Sequence, residues 1–428
     1  MVGREGPAPG AIGRGGPVND DLGLFEEAGS DTADAAGTGR EGKAKAKGKP
    51  ARKVSSRNKK LVLLLVGLLV LVVVGGGAWY GVTTLLGIGS YDDYPGGGDS
   101  DKVIQVQSGD STGDIATRLK DADVVASARA FVKAGETVDK LREVQPGYYL
   151  LKTKMSGTAA VAKIVDPASK VQALEVKGGN ILADHKVGDK VVPGILSMLS
   201  QASCATLDGK KTCVPVEQLQ QAAQTADAKA IGVPDWAMAD VARAEPKHRL
   251  EGLIMPGIYQ VKPGASAEEL LKNVLASSSA LMQVPGLPAA AADTGFRPYQ
   301  ILIMASLVEK EAITDDFGKV SRVIYNRLSS STPLGLDSTT NYQKDQPDAR
   351  LTDAELNAEG PYNTRLNKGL PPTPIGSPSS AALTSAMKPE AGDWLFFVKC
   401  KKDGHSCFNT TQAGHDKDAN DAKNNGVF

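Results

Sequence analysis

Residues 61–80 read LVLLLVGLLVLVVVGGGAWY, a run without a single charged side chain. About 20 such residues are what a helix needs to cross ~30 Å of hydrocarbon. A helix in a soluble core is rarely apolar on every face for so long. A membrane-spanning helix over residues 61–82 is therefore predicted. Because 60 residues precede the run and no small-residue cleavage site closes a short apolar core, a cleaved signal peptide is not expected. The flanks set the direction. Nine Lys/Arg crowd Lys43 to Lys60, whereas the other side presents Asp92, Asp93, Asp99 and Asp101 before its first lysine, Lys102. The positive side stays in the cytoplasm. The expected protein is thus a single-pass cell-membrane protein with a cytoplasmic N-terminus and an extracytoplasmic remainder. Trp79 and Tyr80 stand where an interfacial aromatic belt would be.

The 428 residues suggest two or three domains. A 41% hydrophobic and 23% charged composition argues against wholesale disorder. The formal charge is zero, which excludes a uniformly basic nucleic-acid binder, and no nucleic-acid partner is expected. The zero conceals an asymmetry: residues 1–60 hold 12 basic and 8 acidic side chains. That tail is 20% glycine with one aromatic, Phe25, and cannot bury enough apolar surface to offset chain entropy. It is read as a disordered cytoplasmic tail, basic near the membrane, able to touch anionic lipid. Residues 83–101 look like a flexible linker.

Four cysteines are too few for a disulfide scaffold, but they form two local pairs. Cys204 and Cys213 flank Asp208–Lys211, and Cys400 and Cys407 flank Asp403–Gly404. Each pair could close a hairpin-like loop in an oxidising compartment; four free thiols are the other reading. Neither spacing is the C-x-x-C of zinc or redox sites. The four histidines, His185, His248, His405 and His415, form no i,i+4 pair. No metal and no cofactor are expected.

Residues 102–190 read as a small α/β unit: a strand at Val103–Val106, a turn at Ser108–Asp110, a helix over Ser111–Leu119, and a further turn and strand at Pro146–Leu150. The strand, G-D-S turn and I-A-x-x-L helix resemble LysM-like folds, which bind polymeric N-acetylglucosamine. Residues 191–249 read as a connecting helical region, with a helix over Val216–Ala230. Leu250–Val261 returns to extended sequence. Ser266–Leu275 has a capped-helix pattern with Glu268 and Glu269 in its first turns. The Ser/Ala/Pro-rich stretch 276–298 reads as loop.

In residues 299–313, YQILIMASLVEKEAI, Ile301, Met304, Ala305 and Val308 recur at helical spacing and predict a buried helix. Glu309 has Leu302, Ala305, Ala312 and Ile313 at helical neighbour positions, all apolar, whereas Glu311 also neighbours Thr314 and Asp315. Glu309 is thus the expected desolvated carboxyl. Burial favours its protonated form, which can donate a proton to a leaving oxygen. The residues alone favour the plainer reading, a surface Glu309 paired with Lys310 or Arg322. Downstream, Asp337, Ser338, Thr339, Tyr362, Asn363 and Thr364 offer short polar groups on apparent loops. That is a sugar-cleft inventory, and also the inventory of turns and caps.

Taken together, S-L-V-E-K-E (Ser306–Glu311), Y-N-R-L (from Tyr325), L-x-L-D-S-T (from Leu334), P-Y-N-T (from Pro361), G-L-P-P-x-P-I (from Gly369) and L-F-F-V (Leu395–Val398) resemble, in order and spacing, the endolytic murein transglycosylases, the MltG or YceG-like family. L-E-G-x-x-x-P-x-x-Y from Leu250 is similar as well. The likeness covers residues 100–415, without 196–248. It implies an α+β fold: one transmembrane helix, a LysM-like subdomain, then a mixed α+β transglycosylase domain at 250–428. It also implies Glu309 as catalytic acid and base, Asp337, Ser338, Thr339, Tyr362, Asn363 and Thr364 as substrate-binding residues, and peptidoglycan glycan strands as substrate. The reaction implied is cleavage of the MurNAc-β-1,4-GlcNAc bond of nascent strands with 1,6-anhydroMurNAc ends, in wall assembly beside peptidoglycan synthases.

There are departures. Pro256-Gly257-Ile258-Tyr259 replaces the family's P-D-T-Y, Gly414-His415 replaces Glu-His, and G-x-H-x-F is stretched over Gly404–Phe408. A role for His405 or His415 is therefore not carried over. Two other functions stay open: a non-catalytic peptidoglycan-binding scaffold for synthases, and a water-using muramidase with Asp337 as second carboxylate.

Overall fold

Three serines start the three helices of the first module. The computed structural model describes residues 91–344, 346–347 and 351–427. In it Ser111, Ser127 and Ser156 each stand at an N-cap, accepting from the N–H groups of Asp114, Ala130 and Ala159. Such caps satisfy donors that a helix start otherwise leaves unpaired. The helices are Thr112–Asp121, Ala128–Gly135 and Gly157–Ile164. Strands Asp101–Val106 and Gly147–Lys152 pair antiparallel with Ile104 opposite Tyr149. Alternation along each strand puts Ile104, Val106, Tyr149 and Leu151 inward, onto Ile115, Leu119, Phe131, Val161 and Ile164. Gly157 lets two helices approach, since a Cβ there would lie 2.3 Å from the Ala130 carbonyl oxygen. The expected cytoplasmic tail, residues 1–60, and the expected membrane span, 61–82, lie outside the described residues; among the described residues no helix is long and apolar enough to cross a membrane.

Leu174 leaves this module. Leu174–Val176 pairs antiparallel with Gly257–Tyr259, some 80 positions along the chain. That pairing draws Leu174, Val176 and Leu182 into a second, larger core. The boundary expected at residue 190 therefore falls inside the larger core. Residues 191–249, read as a connector, are part of it as well: Ile195, Leu199, Leu219, Ile231 and Val241 are buried there.

The centre of this core is the helix Pro298–Glu311. Proline suits its first position, where no N–H is needed. Ile301, Leu302, Met304, Ala305, Leu307 and Val308 are completely buried. Each aliphatic side chain so placed contributes roughly 1.5–3 kcal/mol. Helices Phe317–Ser329 and Ser380–Met387 pack against it. Of the stretch 276–298 read as loop, residues 276–283 correct to helix, because Ala267–Gln283 is continuous, while turns and a short 3-10 segment fill the rest up to Pro298. Ser278 in this helix is buried, donates to Leu253 O at 2.7 Å and accepts from Met255 N–H at 2.8 Å. Tertiary packing there overrides a weak local preference.

Every sheet among the described residues is a two-stranded antiparallel ribbon, so the fold is mixed α+β. Both cysteine pairs are closed. Cys204–Cys213 spans the ribbon Thr206–Leu207/Lys210–Lys211, and Cys400–Cys407 spans Phe396–Lys399/Ser406–Asn409.

Candidate active site

The central helix stops at Glu311. Ala312 is extended, at φ −142° and ψ 168°, so Ala312 and Ile313 do not stack on Glu309 as a continuing helix would place them. Successive residues at this last turn point about 100° apart. Glu309, Lys310 and Glu311 therefore open onto three different surroundings.

Glu309 is half-buried and faces the start of helix Ser380–Met387. Its Oε2 accepts from Ser379 N–H at 2.9 Å and from Ser379 Oγ–H at 2.6 Å. Ser379 is also the N-cap of that helix, accepting from Ala382 N–H. The two donors fix one carboxylate oxygen, and a helix start favours negative charge. Across the other oxygen lies Gly178, where a Cβ would fall 2.0 Å from Oε1. Any side chain at 178 would have to displace the carboxyl end of Glu309. The stretch is held by Gly179 N–H to Ser377 O and Ser377 N–H to Asn180 O, each 2.8 Å.

Glu311 takes the opposite side. Its Oε1 accepts from Ser338 Oγ–H. Enclosure raises its pKa, with Asp337 adding to the effect and the Ser338 hydrogen bond opposing it. Glu311 is thus an enclosed carboxyl that the helical-neighbour pattern, which favoured Glu309, did not single out. That pattern counted residues of one continuing helix, and the helix ends. Glu311, Asp337, Arg365, Arg327, Phe396 and His415 line a groove of about 560 Å³. Asp337 is half exposed and ion-paired to Arg365.

The loop residues expected in a sugar cleft divide. Asp337 and Ser338 border open space. Thr339, Tyr362, Asn363 and Thr364 are buried. Thr339 Oγ1 donates to Leu336 O and shares a hydrogen bond of 3.0 Å with Thr364 Oγ1, which accepts from Leu336 N–H. The Asn363 amide donates to Leu356 O and Ala358 O. Tyr362 and Thr373 share a hydroxyl bond of 2.7 Å. Asp337, Ser338 and Thr339 open the helix Asp337–Tyr342 rather than a loop; the four buried residues brace that helix start and the loop that carries Arg365, and their polar atoms are spent on the protein itself.

Lys310 points into a third region, a cavity of about 210 Å³ with His185, Ser338, Asn341, Tyr342 and Lys344. The residue as a whole is exposed, yet enough protein surrounds its ammonium to lower its pKa, against the pull of Glu251 and Glu309. Glu251, Tyr342, His248 and Ser379 were not singled out from the sequence. Ser379 carried the one usable signal, a serine ahead of a helical Ala/Leu pattern.

One carboxyl held by two donors, on a rigid helix, can give and take a single proton. Glu309 and Glu311 stand two positions apart on a helix and do not face each other, so they cannot flank one glycosidic bond as a pair. Among the described residues no group of three or more His, Cys, Asp or Glu is placed to hold a metal ion.

The chain was compared with known proteins. Over 321 residues it is 28% identical to a Bacillus subtilis (strain 168) protein named endolytic murein transglycosylase, covering 73% of this chain and 82% of that protein. A Streptococcus pneumoniae serotype 2 (strain D39 / NCTC 7466) protein of the same name is 31% identical over 189 residues, 40% of this chain. The match spans only 32% of that longer protein. The crystal structure of a yceG-like protein from Listeria monocytogenes is 24% identical with a TM-score of 0.49, covering 74% of this chain and 98% of that one. A family model described as the YceG-like family matches residues 104–421, and with that span the chain belongs to the YceG-like family.

Proposed function

We propose that this chain is an endolytic murein transglycosylase that cleaves the MurNAc-β-1,4-GlcNAc bond of peptidoglycan strands, with Glu309 as its proton carrier. The observation that carries the reading is the setting of Glu309: a half-buried carboxyl on the core helix, held through one oxygen by Ser379, in a chain related to proteins of that name. Glu309 protonates the glycosidic oxygen as the bond from the muramyl C1 breaks. The resulting carboxylate then takes the proton of the muramyl O6 hydroxyl as O6 bonds to C1. A 1,6-anhydro ring closes, no water is consumed, and Glu309 returns to its starting protonation.

Glycosidases that use water or a covalent intermediate need two carboxyls flanking the bond, about 5–9.5 Å apart. The opposed directions of Glu309 and Glu311, and the engagement of Asp337 with Arg365, favour the one-carboxyl route over the muramidase alternative. Asp337 and Ser338 are the expected residues that border open space, where sugar hydroxyl and acetamido groups would meet them beside their bonds to Arg365 and Glu311.

The remaining parts of the reading are inferred likewise. The charge asymmetry around residues 61–82 supports a membrane anchor with the catalytic region outside. The β-α-α-β order and G-D-S turn of the first module support a LysM-like subdomain that steadies a glycan strand. Peptidoglycan synthases are the partners such an anchored, strand-cutting enzyme would work beside.

The test is mass spectrometry of fragments released from purified murein. The wild type should generate 1,6-anhydro ends and Glu309→Gln should not. Reducing ends alone would favour the muramidase, and equal release by both proteins would favour the scaffold.

A further inference from the structure

Glu251 is 2% exposed, the most deeply buried carboxyl among the described residues, and the proton transfers above give it no task. Burying a carboxyl is costly unless its partners compensate, and here they do so incompletely. Oε2 accepts from Leu182 N–H at 3.3 Å and from the Tyr342 hydroxyl at 2.9 Å. Oε1 has no hydrogen-bond partner among the described residues. A leucine or methionine would fill the same space at less cost, so the core gains nothing from a carboxyl as packing.

What the carboxyl does is join two walls. Leu182 follows the Gly178–Asn180 stretch that lies against Glu309 Oε1. Tyr342 closes the helix Asp337–Tyr342, whose first two residues engage Arg365 and Glu311. That helix is six residues long, so a shift at Tyr342 carries to Asp337 as a rigid displacement. The Tyr342 hydroxyl is fixed a second time by His248 Nδ1 at 2.7 Å, and its ring packs on those of His248 and Tyr362.

The geometry points to Glu251 as a positioning residue: one buried carboxyl group sets the spacing between the stretch over Glu309 and the helix beside Glu311. This rests on the reading of Glu309 as the proton carrier. Glu251 acts through Leu182 and Tyr342. The titratable groups facing it are Tyr342 and, through it, His248; Lys310 and Tyr299 from the Glu309 helix; and Tyr362.

Two variants separate charge from clamp. Glu251→Gln removes the charge and keeps the length. Tyr342→Phe keeps the charge and the ring but breaks one side of the clamp. The full chain in detergent micelles is assayed on soluble, uncrosslinked murein strands, with kcat, KM and Tm measured for each. Misplacement by an ångström costs up to about 100-fold in rate. Each variant should lose about tenfold or more in kcat, with KM within about threefold and no fall in Tm to account for the loss. The double variant should be no worse than the poorer single, because both act at the one junction between Glu251 and Tyr342. Wild-type kcat in both variants overturns the proposal. So does a loss of kcat that merely tracks loss of folded protein. Glu309→Gln runs alongside: if it keeps the wild-type rate, the functional reading itself fails, whatever the Glu251 variants do.

Discussion

Glu251 also makes a prediction about stability that needs no substrate. Burial pushes its carboxyl from an ordinary 4.5 up to about 7, against the opposing pull of the Tyr342 hydroxyl and the Leu182 N–H. Below pH ~4.5 the group is protonated in the folded and unfolded chain alike, and burial carries no penalty. Between about 4.5 and 7 the unfolded chain has released a proton that the folded chain still holds, so stability falls as pH rises. Above about 7 both states are ionised and the full penalty is present. At about 1.36 kcal/mol per pH unit, the gap comes to about 3 kcal/mol. The perturbation is Glu251→Gln, which cannot ionise. Relative to this variant, the wild type should lose about 3 kcal/mol of stability between pH 4 and pH 8. Urea unfolding followed by tryptophan fluorescence reads it, because Trp236 packs against the core that holds Glu251. The two cores call for separate fitting of their transitions. A wild-type-minus-variant difference that stays flat across this range, or rises with pH, refutes the reasoning.

Gly178→Ala would thrust a methyl group against the free end of the Glu309 side chain, while Gly178 itself has no left-handed backbone. Murein cleavage should fall by tenfold or more while Tm stays near the wild type; full activity would show the carboxyl is not confined there. Ser379→Ala and Ser379→Gly both remove the hydroxyl that Glu309 accepts from, but alanine at an N-cap costs about 1 kcal/mol and glycine only a few tenths. Rates should drop equally in the two while Tm separates them; rates that follow Tm would make Ser379 a cap and nothing more. Leu119→Ala, at a fully buried position of the small core, should cost about 2–5 kcal/mol. Calorimetry should then show the first module melting ahead of the larger core, and a single unchanged transition would mean the cores are not separate.

What could be read in advance follows the range of the interaction. The central helix was legible because Ile301, Met304, Ala305 and Val308 lie on one another within the same element. The cysteine pairs were legible because each closes across a turn of a few residues. Leu174–Val176 was not, since its partner strand lies far along the chain. The buried state of Thr339, Tyr362, Asn363 and Thr364 was hidden for a related reason. A hydroxyl or amide that braces two loops has the same composition signature as one that meets a sugar, and only the fold separates them. Glu251 stood inside a motif already noticed. Its importance emerges only when Leu182 and Tyr342 arrive from opposite directions.

The glycine strap at residues 178–180 bears on how often the site is ready to work. On the side that Gly178 covers, the backbone lies so near Glu309 Oε1 that even a Cβ at 178 would collide with it. A sugar ring entering over that edge must first lift the strap and part its two backbone bonds to Ser377. At a net 0.5–1.5 kcal/mol apiece, that leaves about one molecule in six to one in 160 ajar at any instant. Apparent affinity falls by the same factor. A blade housed beside the fabric it cuts would rest sheathed most of the time.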